Sequence, residues 1–290
     1  MRKFRGFLLL LIVMVLLVGC ASGNKEYREA VKQIQNTDLK LDGSNELSKE
    51  ILTALHHAEY TEAKSIIFMI GDGMGYNIIE ATRTVYQEEL LDGKLAMEYL
   101  TVQGSHNTYS ASHQITDSAA GGTALATGYK TSNQIVGMDS FARGSYQTTL
   151  EMAAEQGKST GVVVTSYLTD ATPATFTSHV FMRTLYDEIA AQQMKLFQEG
   201  TLDLALGGGR NYFESDKNDA TRKELQKDGL TYALSWEETK NQKLPILGVY
   251  AEETMDTASE EIPSLAEMTD FAINALSKNR NHFPGNDLSN

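Results

Sequence analysis

The sequence has a single cysteine, Cys20, and that scarcity excludes a disulfide framework and a thiolate metal site in the mature chain. Positive charge is also scarce. There are 25 Lys and Arg against 38 Asp and Glu, a formal net charge of -13. Such a chain binds nucleic acid poorly, and it carries no basic patch. Any anion it handles must meet positive charge supplied locally, by an arginine or by bound cations. Long hydrophobic runs are missing too. The longest, residues 7–18, is an apolar stretch of twelve, too short for a comfortable membrane span. No internal repeat and no low-complexity tract is present. What is there, 290 residues of which 41% are hydrophobic and 22% charged, suits one globular α/β domain or two small ones.

The N-terminus has the form of a processing segment. Arg2, Lys3 and Arg5 make a basic region, and the apolar run at 7–18 follows it as a signal core. The run ends in Leu17-Val18-Gly19-Cys20-Ala21-Ser22, which resembles the lipobox of bacterial lipoproteins. Cleavage before Cys20 and lipidation of its thiol would place the protein in the cell envelope, extracytoplasmic and tethered to the membrane. Residues 23–63 are polar and helix-prone and suggest a stalk, with a helix at 46–60 built on Leu47, Ile51, Leu52 and Leu55.

From residue 64 to 290 the pattern is that of a globular domain. The run at 65–70 is almost wholly apolar and closes in Gly71-Asp72-Gly73, which predicts a strand buried on both faces. A helix follows at 74–86, a second strand at 104–111, and a helix at 119–127 stopped by Gly128. Another buried strand is expected at 161–165, a helix at 185–198, a strand at 202–206 before Gly207-Gly208-Gly209, and an amphipathic helix at 265–277. Strands alternating with helices imply an α/β fold with a mainly parallel central sheet flanked by helices.

Four candidate sites fall at strand ends or helix starts, where open α/β sheets bind ligands. Asp72 projects from a glycine-rich turn with no basic neighbour, a carboxylate suited to Mg²⁺ or Zn²⁺, or simply a turn former. Asp117-Ser118 opens a small-residue helix, where N–H groups and the helix dipole attract an anion; either residue would also serve as an N-cap. Asp170 and Thr172 lie two apart after a strand, so in extended geometry both face one side and could share a hard ion; capping a helix with Pro173 in its first turn is the other reading. Arg183 offers a planar fork for two phosphate oxygens, or a solvated surface charge.

In this order the motifs resemble the alkaline phosphatase family. The matching text is Ile70-Gly71-Asp72-Gly73-Met74-Gly75, Thr116-Asp117-Ser118-Ala119-Ala120 with Thr123-Ala124 and Thr127-Gly128, and Asp170-Ala171-Thr172-Pro173 through His179 to Arg183. The resemblance runs from about Ser65 to about Asn281. It implies a metal-dependent phosphate monoester hydrolase using Zn²⁺ and Mg²⁺, with Ser118 as the nucleophile that becomes a phosphoserine and that a zinc activates. It implies that Asp72 is shared by a zinc and a magnesium, that Thr172 is a magnesium ligand, and that Asp170 holds magnesium-bound water. Arg183 becomes the clamp on two phosphate oxygens. Family members often dimerise, so a homodimer is a further expectation.

The chain departs from the family at its end. The family takes a further Glu, two Asp and three His as metal ligands from downstream text, whereas the tail from Phe283 to Asn290 is polar, with Pro284 and Gly285. Only His56, His57, His106, His113, His179 and His282 exist, none in a D-x-x-x-H or D-H pair, and His106, His113 and His179 suit structural roles. The expectation is an alkaline phosphatase interrupted near Phe283, with doubtful activity and uncovered apolar faces. Two alternatives stand beside it: a phosphodiesterase- or sulfatase-type member of the superfamily, and a non-catalytic surface lipoprotein that binds phosphate or a divalent cation.

Overall fold

The computed structural model describes residues 65–278 apart from 89, 101 and 257–261. The expected leader with Cys20, the stalk with its helix at 46–60, His56, His57 and the tail from His282 lie outside the described residues. The chain forms two compact units, one ending at His106 and one beginning at Asn107.

The first unit carries helix α1, Tyr76–Val85, close to the expected 74–86. Gly75 precedes it in extended backbone, and Tyr86 closes it with an N–H to Thr82 O at 3.0 Å. Arg83 on α1 grips both carboxylate oxygens of Glu98, each at 2.8 Å, a fork-to-carboxylate pair. Those hydrogen bonds pull the Glu98 carboxyl down to about 2. The strand expected at 65–70 is absent. Ile66 is 81% and Phe68 56% exposed, and no ladder runs along the segment. An apolar run supplies strand propensity, but a strand exists only through a paired neighbour, and 65–70 pairs with none of the described strands. The second strand expected at 104–111 is also absent. Its residues straddle the boundary between the units; Ser110 N–H bonds to His113 O in a local turn and Ala111 N–H to the distant Thr131 O instead.

The second unit holds a four-stranded sheet, wholly parallel, in the order β1-β2-β4-β3. Its strands are β1 Gly161–Tyr167, β2 Leu204–Gly208, β3 Thr231–Ala233 and β4 Ile246–Val249. The helices in chain order are α2 Ser118–Thr127, α3 Thr149–Glu155, α4 Ala171–Thr177, α5 Tyr186–Gln198, α6 Arg210–Phe213, α7 Asp219–Lys227, α8 Trp236–Thr239 and α9 Leu265–Lys278. The expectations for α2, α5, α9, β1 and β2 hold to within a few residues. Strand β1 is half-exposed rather than buried; among the described residues only β2 pairs with it, and it forms one edge of the sheet.

Strand β2 reads Leu204-Ala205-Leu206-Gly207-Gly208 and is buried throughout, as a parallel strand covered on both faces must be. On one face Leu204, Leu206 and Ile246 pack against Met268 and Ala272 of α9. On the other Ala205, Leu247 and Val249 pack against Ala190, Met194 and Phe197 of α5. The period of two along each strand thus divides two cores between two helical layers. A third, smaller core of Ala119, Val136, Ala171, Ala174, Val180 and Ile189 joins α2, α4 and α5. There α2 and α4 approach closely: a Cβ at Gly122 would lie 2.6 Å from Thr175 Oγ1.

Candidate active site at the start of helix α2

Asp117 is the N-cap of α2, and its Oδ1 accepts the Ala120 N–H at 2.9 Å. Small residues then let the helix sink into the third core, and Gly128, at φ +80°, stops it with an N–H to Ala124 O. Ser118 takes the first helical position and is half-buried. The first N–H groups of a helix have no intrahelical acceptor, so this end attracts negative charge.

The second oxygen of Asp117 faces outward from the cap. Oδ2 accepts the Gln134 N–H at 3.0 Å, Gln134 Nε2 at 3.2 Å and Arg183 Nη1 at 3.5 Å. Arg183 also donates Nη2 to Asp170 Oδ1 at 3.0 Å. One guanidinium therefore spans two carboxylates, the N-caps of α2 and α4, and lies beside the Ser118 helix start. Arg183 stands in a turn after the short bridge between Val136 and Val180, with its own N–H on Gln134 O at 2.8 Å.

Asp170 follows the C-terminal end of β1, as a ligand-binding residue of a parallel sheet should. Its backbone is extended, but it caps α4 and Thr172 stands in the first helical turn, so the two do not sit on one face of an extended segment. The capping reading, with Pro173 inside the first turn, is what the structure holds. Both Asp170 oxygens are engaged. Oδ1 accepts from Ala171 N at 2.7 Å and from Arg183, and Oδ2 accepts from Ser166 Oγ at 3.0 Å. A carboxylate so held suits a water on a nearby ion better than direct ligation. Thr172 is half-buried beside it.

Asp72 belongs to the first unit, exposed in the turn where Met74 N bonds Gly71 O at 3.2 Å and Gly73 adopts φ +66°. Of the histidines, His179 is engaged at both ring nitrogens, by Gly137 O at 2.8 Å and Glu151 Oε1 at 3.0 Å. His113 Nδ1 lies 2.7 Å from Ser112 Oγ, and His106 is exposed. No group of three or more His, Cys, Asp or Glu comes together among the described residues. The oxygen donors of Asp170 and Thr172 fit a magnesium-type ion in kind, as the carboxylate of Asp72 does separately in the first unit; the imidazole set of a zinc pair is not met by the described residues.

Three residues have roles that the sequence does not display. Asp117 was legible as a cap but not as the holder of Arg183, which lies 66 residues away. Gln134 gave no signal except, in retrospect, its place beside Gly137 in a turn-rich stretch; it takes φ +75°. Glu151 carries one local signal, the Thr148-to-Glu151 capping-box spacing.

Comparison with known proteins identifies the family. The family description "Alkaline phosphatase" matches residues 63–284. Alkaline phosphatase 4 of Bacillus subtilis is 37% identical over 232 residues, covering 77% of this chain and 50% of that one. The crystal structure of a cold-active alkaline phosphatase from a psychrophilic Shewanella species superposes with a TM-score of 0.64 at 32% identity, covering 72% of this chain and 52% of that one. A histidine-to-aspartate variant of the TAB5 alkaline phosphatase, solved with magnesium in its M3 site, has a TM-score of 0.50 at 34% identity over 59% of this chain and 50% of that one. The chain spans about half the length of the first two curated relatives it matches. A parallel sheet, a serine at a capped helix start and an arginine held by two carboxylates thus coincide with a match across most of the sequence, and the chain belongs to the alkaline phosphatase family.

Proposed function

We propose that the protein is a phosphate monoester hydrolase that works through a phosphoserine at Ser118. The observation that carries this is the Asp117–Arg183–Asp170 span beside the first turn of α2. Ser118 Oγ would attack phosphorus in line. The Oγ–P bond forms and the hydroxyl proton of Ser118 passes to solvent as the ester P–O bond breaks, and the leaving oxygen takes a proton from water. Water then cleaves the phosphoserine and restores the hydroxyl. The first N–H groups of α2 and the Arg183 fork hold the non-bridging oxygens while charge builds on them. Two non-bridging oxygens gripped by one fork favour a monoester over a diester, whose esterified oxygen has less charge to offer. The same chemistry speaks against a purely non-catalytic anion binder, since a nucleophile stands at the anion site.

Metal dependence is part of the proposal. Bound magnesium would neutralise phosphoryl charge and order water, with Thr172 toward the ion and Asp170 toward its water; Asp72, in the first unit, offers a carboxylate suited in kind to the same class of cation. Zinc, the other expected cofactor, needs nitrogen donors beyond the described residues. The lipobox at Cys20 supports an envelope location with a lipid anchor, and a homodimer remains part of the reading. Turnover of an aryl phosphate by the full chain, with magnesium and zinc supplied, tests the function. Ser118→Ala should abolish turnover, a loss of at least about a thousandfold by the precedent of nucleophile removal. Equal rates for Ser118→Ala and the parent would overturn it.

A further inference from the structure

His179 faces only hydrogen-bond acceptors. Its Nδ1 lies 2.8 Å from the Gly137 carbonyl oxygen, and its Nε2 lies 3.0 Å from Glu151 Oε1. A carbonyl cannot donate, nor can an ionised carboxylate, so both contacts are hydrogen bonds only when the ring carries two N–H groups. The surroundings favour that form. The charged side chains lining the cleft of roughly 630 Å³ beside the ring are Glu151 and Glu155 of α3 and Glu199 just past α5, and Glu199 is paired with Lys195 at 3.4 Å. Tyr146 lines the same cleft from the preceding loop, and Gln192 of α5 clamps the His179 backbone from both sides, at 2.7 and 3.0 Å. Burial pushes the His179 pKa down, but the hydrogen bonds to Glu151 and Gly137 outweigh it and leave the ring above its ordinary 6.5. Burial likewise pushes Glu151 up, and the bonds from His179 and Thr148 hold it below the usual carboxylate range.

The brace is built on fixed parts. Glu151 Oε2 accepts the Thr148 N–H at 2.7 Å, and Thr148 Oγ1 donates to Phe176 O in α4 at 3.1 Å. Gly137, at φ +64°, permits the close approach, because a Cβ there would sit 2.6 Å from His179 Nδ1. From His179 a short ladder of hydrogen bonds, with Val136–Val180 as its one isolated antiparallel bridge, runs toward Arg183. Val136 and Val180 exchange N–H groups at 2.9 and 3.0 Å, Arg183 N donates to Gln134 O at 2.8 Å, and Gln134 N donates to Asp117 Oδ2. His179 holds one end of this ladder and Arg183 stands at the other.

We propose that His179, an imidazolium braced by Glu151 and Gly137, is a positioning residue for Arg183, and that loss of its proton loosens the ladder. The inference rests on the reading of Arg183 as the phosphate clamp. Its sign follows from linkage. A ring whose pKa is higher in the closed segment than in the open one stabilises the closure fully below about pH 6.5, and that contribution disappears as pH rises through the closed-state value.

Nuclear magnetic resonance on the full chain tests this without turnover. The His179 ring should show two N–H groups near neutral pH and a midpoint above 6.5. Protection of the Arg183 amide against hydrogen exchange should fall in step with that titration. The fall should be about tenfold for each pH unit separating the closed and open midpoints. Glu151→Gln should lower the midpoint and the Arg183 protection together, while amides of Val163 and Leu206 in the sheet keep theirs. His179→Gln should make the protection independent of pH; if that variant does not fold, Glu151→Gln carries the test alone. A ring with one N–H, or Arg183 protection indifferent to Glu151→Gln, overturns the proposal. Calorimetry with inorganic phosphate separates the two claims. Arg183→Ala should bind it at least tenfold more weakly, and undiminished binding would sink the clamp reading while the exchange data still decide the brace.

Discussion

Asp117 serves two partners at once, one oxygen to the helix it caps and the other to Arg183 and Gln134. Asp117→Ala removes the cap, which costs about 0.5–2 kcal/mol, and leaves Arg183 with Asp170 as its remaining carboxylate. The expected result is a modest drop in urea midpoint together with a several-fold weaker affinity for inorganic phosphate. Asp117→Asn keeps a capping oxygen and should lose affinity with little loss of stability, and a urea titration beside calorimetry checks both. At this scale the sequence displayed the right residues and hid their partnerships. Asp170 and Arg183 stand out because a carboxylate after a strand and an arginine near a helix start have obvious chemistry. The Asp117–Arg183 contact joins positions 66 apart and has no local pattern. Asp170 and Thr172 show the opposite case: Pro173 is a local signal for a helix start, and the helix it marks takes the place of the extended geometry that would put both on one face.

At the scale of elements, the site depends on α2 and α4 packing closely, the Gly122 backbone against the Thr175 side chain. Gly122→Val places methyl groups where Thr175 stands. It should destabilise the protein by about 1–3 kcal/mol, the usual cost of overpacking. Thr175→Ala in the same chain should recover part of that loss, and thermal unfolding of the two single variants and the double variant measures the coupling. A Gly122→Val chain as stable as the parent would show that the helices have room to part. Helices α2, α5 and α9 and strand β2 were legible because each carries its own signal: Gly128 stops α2, and unbroken apolar text marks β2. The run at 65–70 carries the same text and forms no strand. Apolar character is local, whereas a ladder needs a neighbour, and 104–111 fails for the same reason.

For the whole molecule, alternation of strand and helix was enough to foresee a parallel α/β sheet, and two packed cores on its faces agree. What alternation could not foresee was the division into two units at His106, with Asp72 in one and Ser118 in the other. The match to relatives of about twice the length makes the chemistry of Ser118 the decisive point. Mass spectrometry of the full chain, quenched in acid after mixing with an aryl phosphate, magnesium and zinc, addresses it directly. A single phosphoryl group on Ser118, absent from Ser118→Ala and much reduced in Arg183→Ala, is the predicted result. A phosphoryl group on another residue, or substrate consumed with Ser118 never modified, would contradict the account.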